Sequence, residues 1–310
     1  MFIISIARLP FGVNPGSKDN PWRAVEQRQD QGKGLVMEVK VTILCDNLAG
    51  PLSFKGEHGL SVLVEVEGKS FLWDCGQSDV AAHNAMISGL DLRKLEGIGI
   101  SHGHFDHAGG LLAVISSSGP KNLYMHPKAL EPKFFMAGDV KRFIGIPFRK
   151  EALESACAGV ELSEGPVEVM PGVRLTGEVP RVTEFEGYEA NLFCQMDGEV
   201  QPDPFLDDQS LVVDTPEGAV VLTGCAHSGL VNILKHVLES SVKIKAVVGG
   251  THLGLGATPE RVNASLDFLE EVLPEKIVPC HCTGLNATIL MAQRFKDRVI
   301  PGQAGLVLSL

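Results

Sequence analysis

Short apolar runs, bounded by glycine, proline or acidic residues, recur along this chain from Val39 onward. Runs of this length predict strands over residues 39–44, 61–66 and 70–73, with Gly68 turning between the last two. Residues 80–90 carry helical spacing, 97–100 read as a further strand, and 123–125 as a short one ending at His126-Pro127. Residues 128–165 are mixed, with Pro147 as a breaker and helical character over 150–158. The second half repeats this grammar. Strands are predicted over 167–169, 173–175, 210–214 and 219–222, the last pair joined through Thr215-Pro216-Glu217-Gly218. A helix over 229–239 and a strand over 244–248 follow. Thr258-Pro259-Glu260 opens a helix with an N-cap, a proline at the first position and an acid in the first turn. Val262, Leu266, Leu269 and Val272 keep the helical period there. A strand over 276–278 and a helix over 286–295 complete the pattern. Two strand-rich stretches, each with helices, predict an α/β fold: two sheets face to face with helices outside, a four-layer αββα sandwich.

Residues 1–36 stand apart from this pattern. Residues 1–9 are apolar but short, without a basic leader or a clear small-residue cleavage site, and do not read as a signal peptide. Residues 10–35 are polar and rich in Gly, Pro, Asn and Gln, the composition of a loose tail. The domain reading is an N-terminal extension over 1–36 and one folded domain over 37–310, with Met37 an alternative start directly before the first strand.

With 310 residues, 44% hydrophobic and 21% charged, the chain is long enough to bury a sizeable core. Its net charge of -11 argues against broad nucleic-acid binding, which rests on Lys and Arg neutralising phosphates. A small anionic substrate remains open, because a bound dication and a local Arg reverse the field inside a cleft. No apolar run approaches the roughly 20 residues that span a bilayer, so no membrane partner is expected. Seven cysteines, an odd count without small-domain spacing, point to a reducing cytoplasm. Cys45, Cys157 and Cys194 read as isolated thiols, whereas Cys75, Cys225, Cys280 and Cys282 lie beside motif residues. The oligomeric state is not legible.

The chemistry concentrates in Ser101-His102-Gly103-His104-Phe105-Asp106-His107. His102, His104, Asp106 and His107 follow a buried strand, where a rigid scaffold can hold metal ligands still. His102 and His104 share one side of an extended chain, while Asp106 and His107 tend to point apart. One loop can thus offer two imidazoles to one metal and a carboxylate plus an imidazole to a second. Such mixed N/O donors suit zinc, iron or manganese better than calcium or magnesium. We expect one or two divalent ions, zinc foremost. His227, in Gly224-Cys225-Ala226-His227, and His281, in Pro279-Cys280-His281-Cys282, also sit at strand ends and join the ligand candidates. Cys225 is either a soft ligand or a small buried thiol. His252 touches substrate or metal, or is a hydrogen-bonded loop histidine. Asp106 and His252 are the candidates for managing a proton. Gly254, Gly256 and the start of the helix at Pro259 form a weaker candidate for holding phosphate. Asp207, Asp208 and Gln209 either make a solvated turn or line the cleft.

The H-x-H-x-D-H stretch resembles the signature of the metallo-β-lactamase superfamily, whose fold is the same αββα sandwich. The resemblance implies an Asp at the position of Cys225, bridging two metals, and this chain departs from it there. It implies that His281 serves the second metal and that Asp74, in Asp74-Cys75-Gly76, accepts a proton from a ligating imidazole. A third ligand to the first metal comes from His227 or from Glu178, Glu184 or Glu186, with His126 a non-ligating histidine. Cys45-Asp46-Asn47, Glu57-His58-Gly59-Leu60-Ser61, Asp74-Cys75-Gly76-Gln77-Ser78, Asp207-Asp208-Gln209-Ser210-Leu211 and Thr223-Gly224-Cys225-Ala226-His227-Ser228-Gly229 narrow the resemblance. Over about residues 38–300 the chain looks like the 7,8-dihydropterin-6-yl-methyl-4-(β-D-ribofuranosyl)aminobenzene 5'-phosphate synthases. That family joins a dihydropterin diphosphate to a ribosylated aminobenzene phosphate, with Arg181, Lys128 or Arg142 as candidate phosphate holders here. Two alternatives stay open: a metal-dependent hydrolase of a phosphoester, lactone or thioester, and a non-enzymatic metal or redox sensor using Cys225, Cys280 and Cys282.

Overall fold

Strands buried on both faces build the layers of this molecule. The structure, a computed structural model, describes residues 37–310 apart from positions 51, 52 and 255. The extension read over residues 1–36 lies outside the described residues.

Strands β1 (Val39–Cys45), β2 (Ser61–Val66) and β3 (Lys69–Trp73) form an antiparallel meander. Helix α1 (Val80–Ile87) returns the chain to β4 (Leu95–Gly99), parallel to β3. The single turn α2 (Phe105–Ala108) and helix α3 (Leu111–Ser118) lead into β5 (Asn122–Met125), parallel to β4. Then come β6 (Lys133–Ala137), β7 (Val140–Phe143), α4 (Lys150–Ala156), β8 (Gly159–Leu162), β9 (Val167–Met170) and β10 (Val173–Leu175). A second hairpin, β11 (Leu192–Met196) and β12 (Glu199–Pro202), precedes β13 (Ser210–Thr215) and β14 (Gly218–Thr223). Helix α5 (Leu230–Leu238), β15 (Ile244–Gly249), α6 (Pro259–Val272), β16 (Lys276–Pro279), α7 (Gly284–Phe295) and β17 (Val307–Ser309) complete the chain. At the start of α6 the Thr258 side chain accepts the Arg261 N–H, the cap its sequence predicts.

Two large sheets result, ordered β17-β1-β2-β3-β4-β5-β8 and β16-β15-β14-β13-β10-β9. Their facing residues form one core: Val41, Ile43, Val62, Val64, Phe71 and Trp73 meet Leu211, Val213, Val220, Leu222, Ala246 and Val248. The intervening residues point outward. Leu44, Leu63, Leu72 and Ile98 pack with α1 and α3 through Ala81, Ala85, Leu111 and Val114. Val212, Val221 and Val247 pack with α5, α6 and α7 through Ile233, Leu234, Leu266, Leu269 and Met291. The period of two thus feeds both faces of each sheet, and the four αββα layers follow. Each of these fully buried side chains contributes about 1.5–3 kcal/mol of transfer free energy.

A third, small sheet, β12-β11-β6-β7, is an addition to the expected four layers. Its outer strands β7 and β12 are exposed along their length, so neither shows the inside-outside alternation that marks a strand in sequence. Lys133 on β6 is fully buried there, with Nζ 2.7 Å from Asp203 and 2.8 Å from Asp207. A buried lysine inverts the usual polarity pattern.

Candidate metal centre

Topology places the donors. Strands β3 and β4 are parallel, as are β14, β15 and β16, and the loops after these ends converge at one rim. The loop after β4 carries His102, His104, Asp106 and His107; the loops after β14, β15 and β16 carry Cys225 with His227, then His252, then His281 with Cys282. Close approach of the sheets depends on Gly224: a Cβ there would come within 2.1 Å of Ser101 Oγ. The backbone at Ala226, His252 and His281 is left-handed, with φ of 60°, 49° and 48°. Such strain clusters where a fold holds side chains to a task.

The donor atoms fall into groups, each within 4.8 Å of one another: His102 with His104 and His227; His102 with His107 and Cys225; His58 with Asp106 and His281; Glu189 with His227 and His252; Cys225 with His252 and Cys282. The His58, Asp106 and His281 group shares no member with the others, but Asp106 Oδ2 lies 3.8 Å from His107 Nε2, so all seven residues read as metal candidates from sequence lie together. The structure sets Cys225 Sγ 3.2 Å from His107 Nε2, between the two halves, and not in an inert packing position.

Four imidazoles, those of His107, His281, His227 and His252, have one ring nitrogen held by a neighbour. His107 Nδ1 donates to Asp74 Oδ2 at 2.7 Å, and Asp74 also accepts the Ser101 N–H at 2.7 Å. His281 Nδ1 donates to Asn47 Oδ1 at 2.8 Å, while the His281 N–H donates to Asp46 Oδ2 at 2.7 Å. Glu189 serves two rings, taking His227 Nδ1 at 3.0 Å and His252 Nε2 at 2.8 Å. A proton fixed on one ring nitrogen leaves the lone pair of the other facing inward, the arrangement of a metal-bound histidine. Three buried ring nitrogens, His104 Nε2, His227 Nε2 and His252 Nδ1, have no hydrogen-bond partner. Orphaned buried acceptors beside carboxylates and thiols fit a cation.

The electrostatics agree. Burial, reinforced by neighbouring imidazoles, pushes His102 and His104 well below the usual histidine range, so both are neutral and ligand-competent. Burial also opposes charge on His107, but Asp74 and Asp106 outweigh it and raise the imidazole to about 9. His252 is raised to about 10, where Cys282 and Glu189 overcome burial. Burial opposes charge on Asp106 as well, yet His107 and His281 hold it well below the carboxylate range. Its Oδ2 lies 3.2 Å from both His281 Nε2 and His58 Nε2. Burial opposes a thiolate at either sulfur, but hydrogen bonds with Cys225 and His252 draw Cys282 well below the thiol range while Cys225 is pushed up. Clustered anions that hold protons this firmly also favour a dication in their place.

Several candidates lie elsewhere. His126 is buried and pairs with Glu178 at 3.2 Å. Glu184 is exposed, and Glu186 caps α5 by accepting the Val231 and Asn232 N–H groups at 2.8 and 2.9 Å. Among those alternatives only His227 reaches His102 and His104. Asp207, Asp208 and Gln209 are buried, so the solvated-turn reading fails. Asp207 Oδ2 accepts the Gly103 N–H at 2.7 Å and Asp208 Oδ2 the Ser228 N–H at 2.8 Å, bracing the donor loops. Arg181 is turned onto the Glu186 and His227 carbonyls, both at 2.9 Å, which removes it as a phosphate holder. The Gly254 N–H donates to the Cys282 carbonyl at 3.1 Å and is not open to a ligand. Cys280 belongs to the core between the sheets, away from Cys282. Glu189 and Asn47 as ring holders, and Asp46 as a holder of the His281 backbone, escaped sequence reasoning, although Cys45-Asp46-Asn47 is among the phrases that carry the resemblance.

A cavity of about 540 Å³ opens over these donors. His104, Asp106, Cys225, His227, His252, His281 and Cys282 line it together with the apolar Phe105, Phe135, Ile144 and Leu192, and the exposed Arg142 borders it.

A family model described as the metallo-beta-lactamase superfamily matches residues 55–281. The chain belongs to the metallo-β-lactamase superfamily. Superfamily members usually bind divalent metals, and this member carries the matching His, Asp and Cys clusters. It is 29% identical over 294 residues to the 7,8-dihydropterin-6-methyl-4-(β-D-ribofuranosyl)-aminobenzene-5'-phosphate synthase of Methanocaldococcus jannaschii, covering 89% of this chain and 98% of that protein. An uncharacterized protein of the same organism is 30% identical over 271 residues, covering 87% and 100%. A solved structure described as a metal-dependent hydrolase of the β-lactamase superfamily superposes with a TM-score of 0.77 at 34% identity, covering 88% and 99%. A diphosphatase of the PhnP family, at 13% identity and a TM-score of 0.51 over 88% and 98%, shares the fold.

Proposed function

We propose that this chain is a metal-dependent synthase acting on a dihydropterin and a ribosylated aminobenzene phosphate, the activity named for its M. jannaschii relative. The observation that carries the reading is the mixed lining of the cavity, in which Phe105, Phe135, Ile144 and Leu192 accompany the metal donors. Planar aromatic substrates fit apolar side chains of this kind, and their phosphates fit a site rich in metal donors. Arg142 lies 5.5 Å from the Phe105 ring and pairs with no carboxylate among the described residues, so it can meet a phosphate at the rim.

Bound divalent metal, zinc by the softness of this N/O/S donor set and otherwise iron or manganese, would supply Lewis-acid polarisation of phosphate oxygen. His102, His104 and His227 would hold one ion, and Asp106, His107 and His281 a second, with Cys225 between them. The condensation breaks the bond from the pterin methylene to diphosphate oxygen and makes one to the arylamine nitrogen, which releases an N–H proton. His58, half exposed at the mouth, lies below its usual range because burial disfavours its charge, so it is neutral and able to accept that proton. His252 and Asp106 remain the other candidates for the transfer.

The similar solved structure described as a hydrolase favours a second reading, hydrolysis of a phosphoester, lactone or thioester. The sensor reading loses support because Cys280 faces the core. One assay separates the enzymes. Metal-loaded protein is given the pterin pair and, separately, a panel of simple esters. Product from the pair alone supports the synthase; ester turnover at an ordinary enzymatic rate, with nothing from the pair, replaces it with the hydrolase.

A further inference from the structure

Two donors that line the cavity, Cys282 and His252, lie outside the two-ion arrangement, and Cys225 borders both. Cys282 Sγ, Cys225 Sγ and a ring nitrogen of His252 are within 4.8 Å of one another, and all three residues are buried. His252 is 8% exposed, its Nε2 is held by Glu189 at 2.8 Å, and its Nδ1 has no partner. Glu189 thereby holds the Nε2 proton and leaves Nδ1 as the ring atom that a cation would take in exchange for a proton. The chain around β16 turns these residues apart: Cys280 enters the core, His281 faces Asp106, and Cys282 faces Cys225. Room for the Cys282 sulfur comes from Gly250, where a Cβ would lie 2.5 Å from it. The His252 N–H, carried on left-handed backbone, donates to the same sulfur at 3.3 Å.

The geometry points to a further, sulfur-rich metal site formed by Cys225, Cys282 and His252 Nδ1, which takes a thiophilic cation and shares Cys225 with the imidazole-carboxylate centre. Two thiolates and one imidazole make a three-ligand set that leaves a fourth position toward the cavity. Both sulfurs are free thiols in the structure, so both are available to a cation. The site requires no particular substrate and stands apart from the synthase reading.

Cadmium and cobalt(II) test it on the full chain. Protein stripped with chelator under reducing conditions is loaded with cadmium-113 and examined by NMR. The expected result is a resonance in the range of two-sulfur coordination, beside others from nitrogen and oxygen ligands. In parallel, cobalt(II) should give a thiolate charge-transfer band. Cys282→Ser should lower that band by roughly half, since Cys225 still contributes, and lose one equivalent of bound cadmium with circular dichroism unchanged. His102→Ala should keep the Cys282-dependent part of the band, which separates this site from the imidazole-carboxylate centre. Cadmium resonances confined to nitrogen, oxygen or single-sulfur coordination in the wild-type protein overturn the proposal, whether or not Cys282→Ser folds. So does a reduced protein whose metal count is unaffected by Cys282→Ser, or one in which Cys225 and Cys282 are found joined as a disulfide.

Discussion

The two sheets contribute to the centre in different ways. The first delivers His102, His104, Asp106 and His107 within one short loop after β4. The second delivers Cys225, His227, His252, His281 and Cys282 from the ends of β14, β15 and β16, which come together only through strand register. The single-loop half is all nitrogen and oxygen; the assembled half carries sulfur and the carboxylate that orients two rings. A contiguous loop fixes its own geometry locally. An assembled half depends on its braces, and its chemistry can vary one strand end at a time, as Cys225 shows in the place where the resemblance implies Asp.

The strongest way to break the comparison is to remove the local half. His102→Ala or Asp106→Ala should each lose bound metal by elemental analysis and lower turnover by roughly a thousandfold, with the fold intact by circular dichroism. Full metal content in both variants would remove that loop from the ligand set. A large effect on folding is expected at the brace beneath it. Lys133→Met leaves Asp203 and Asp207 buried without their cation and should cost about 3–5 kcal/mol in a urea melt. Burial opposes charge on Asp207, but Lys133 outweighs it and depresses the carboxyl. Its stability contribution is therefore present above the unfolded carboxylate value of about 3.9 and lost as pH falls through the folded value. Lys133→Met should flatten that acid limb, and an unchanged limb would discard the assignment.

The assembled half is sharpened by Glu189→Gln, which keeps the shape but weakens the acceptor to His227 and His252 together. Metal affinity should fall about 10–100-fold in a chelator competition, with little change in melting of the stripped protein. The smallest effect belongs to the rim. Arg142→Ala should raise KM roughly tenfold, the worth of one charged hydrogen bond, with kcat nearly constant. A fall in kcat alone would place Arg142 in the chemistry and not in binding.

The same contrast governs what the sequence could show. Short apolar runs at β1, β2, β13 and β14 made the sandwich readable, and the spacing of His102, His104, Asp106 and His107 needed only local chain to be seen. Glu189 lies in an irregular stretch, 38 residues before His227 and 63 before His252, and no period marks it. Cys282 reads as a neighbour of His281 until the turn after β16 sends the two side chains different ways. Lys133 hides for the opposite reason: a charge in a strand reads as outward-facing, and only its two acids bring it inside.

At Gly224 the end of β14 comes against the Ser101 side chain, and a Cβ on the glycine would lie 2.1 Å from Ser101 Oγ. Donors after β4 and donors after β14 therefore come within reach of one another only when the two sheets have docked. A larger residue at 224 would hold the halves apart, so metal loading would report how closely they seat as well as which side chains ligate.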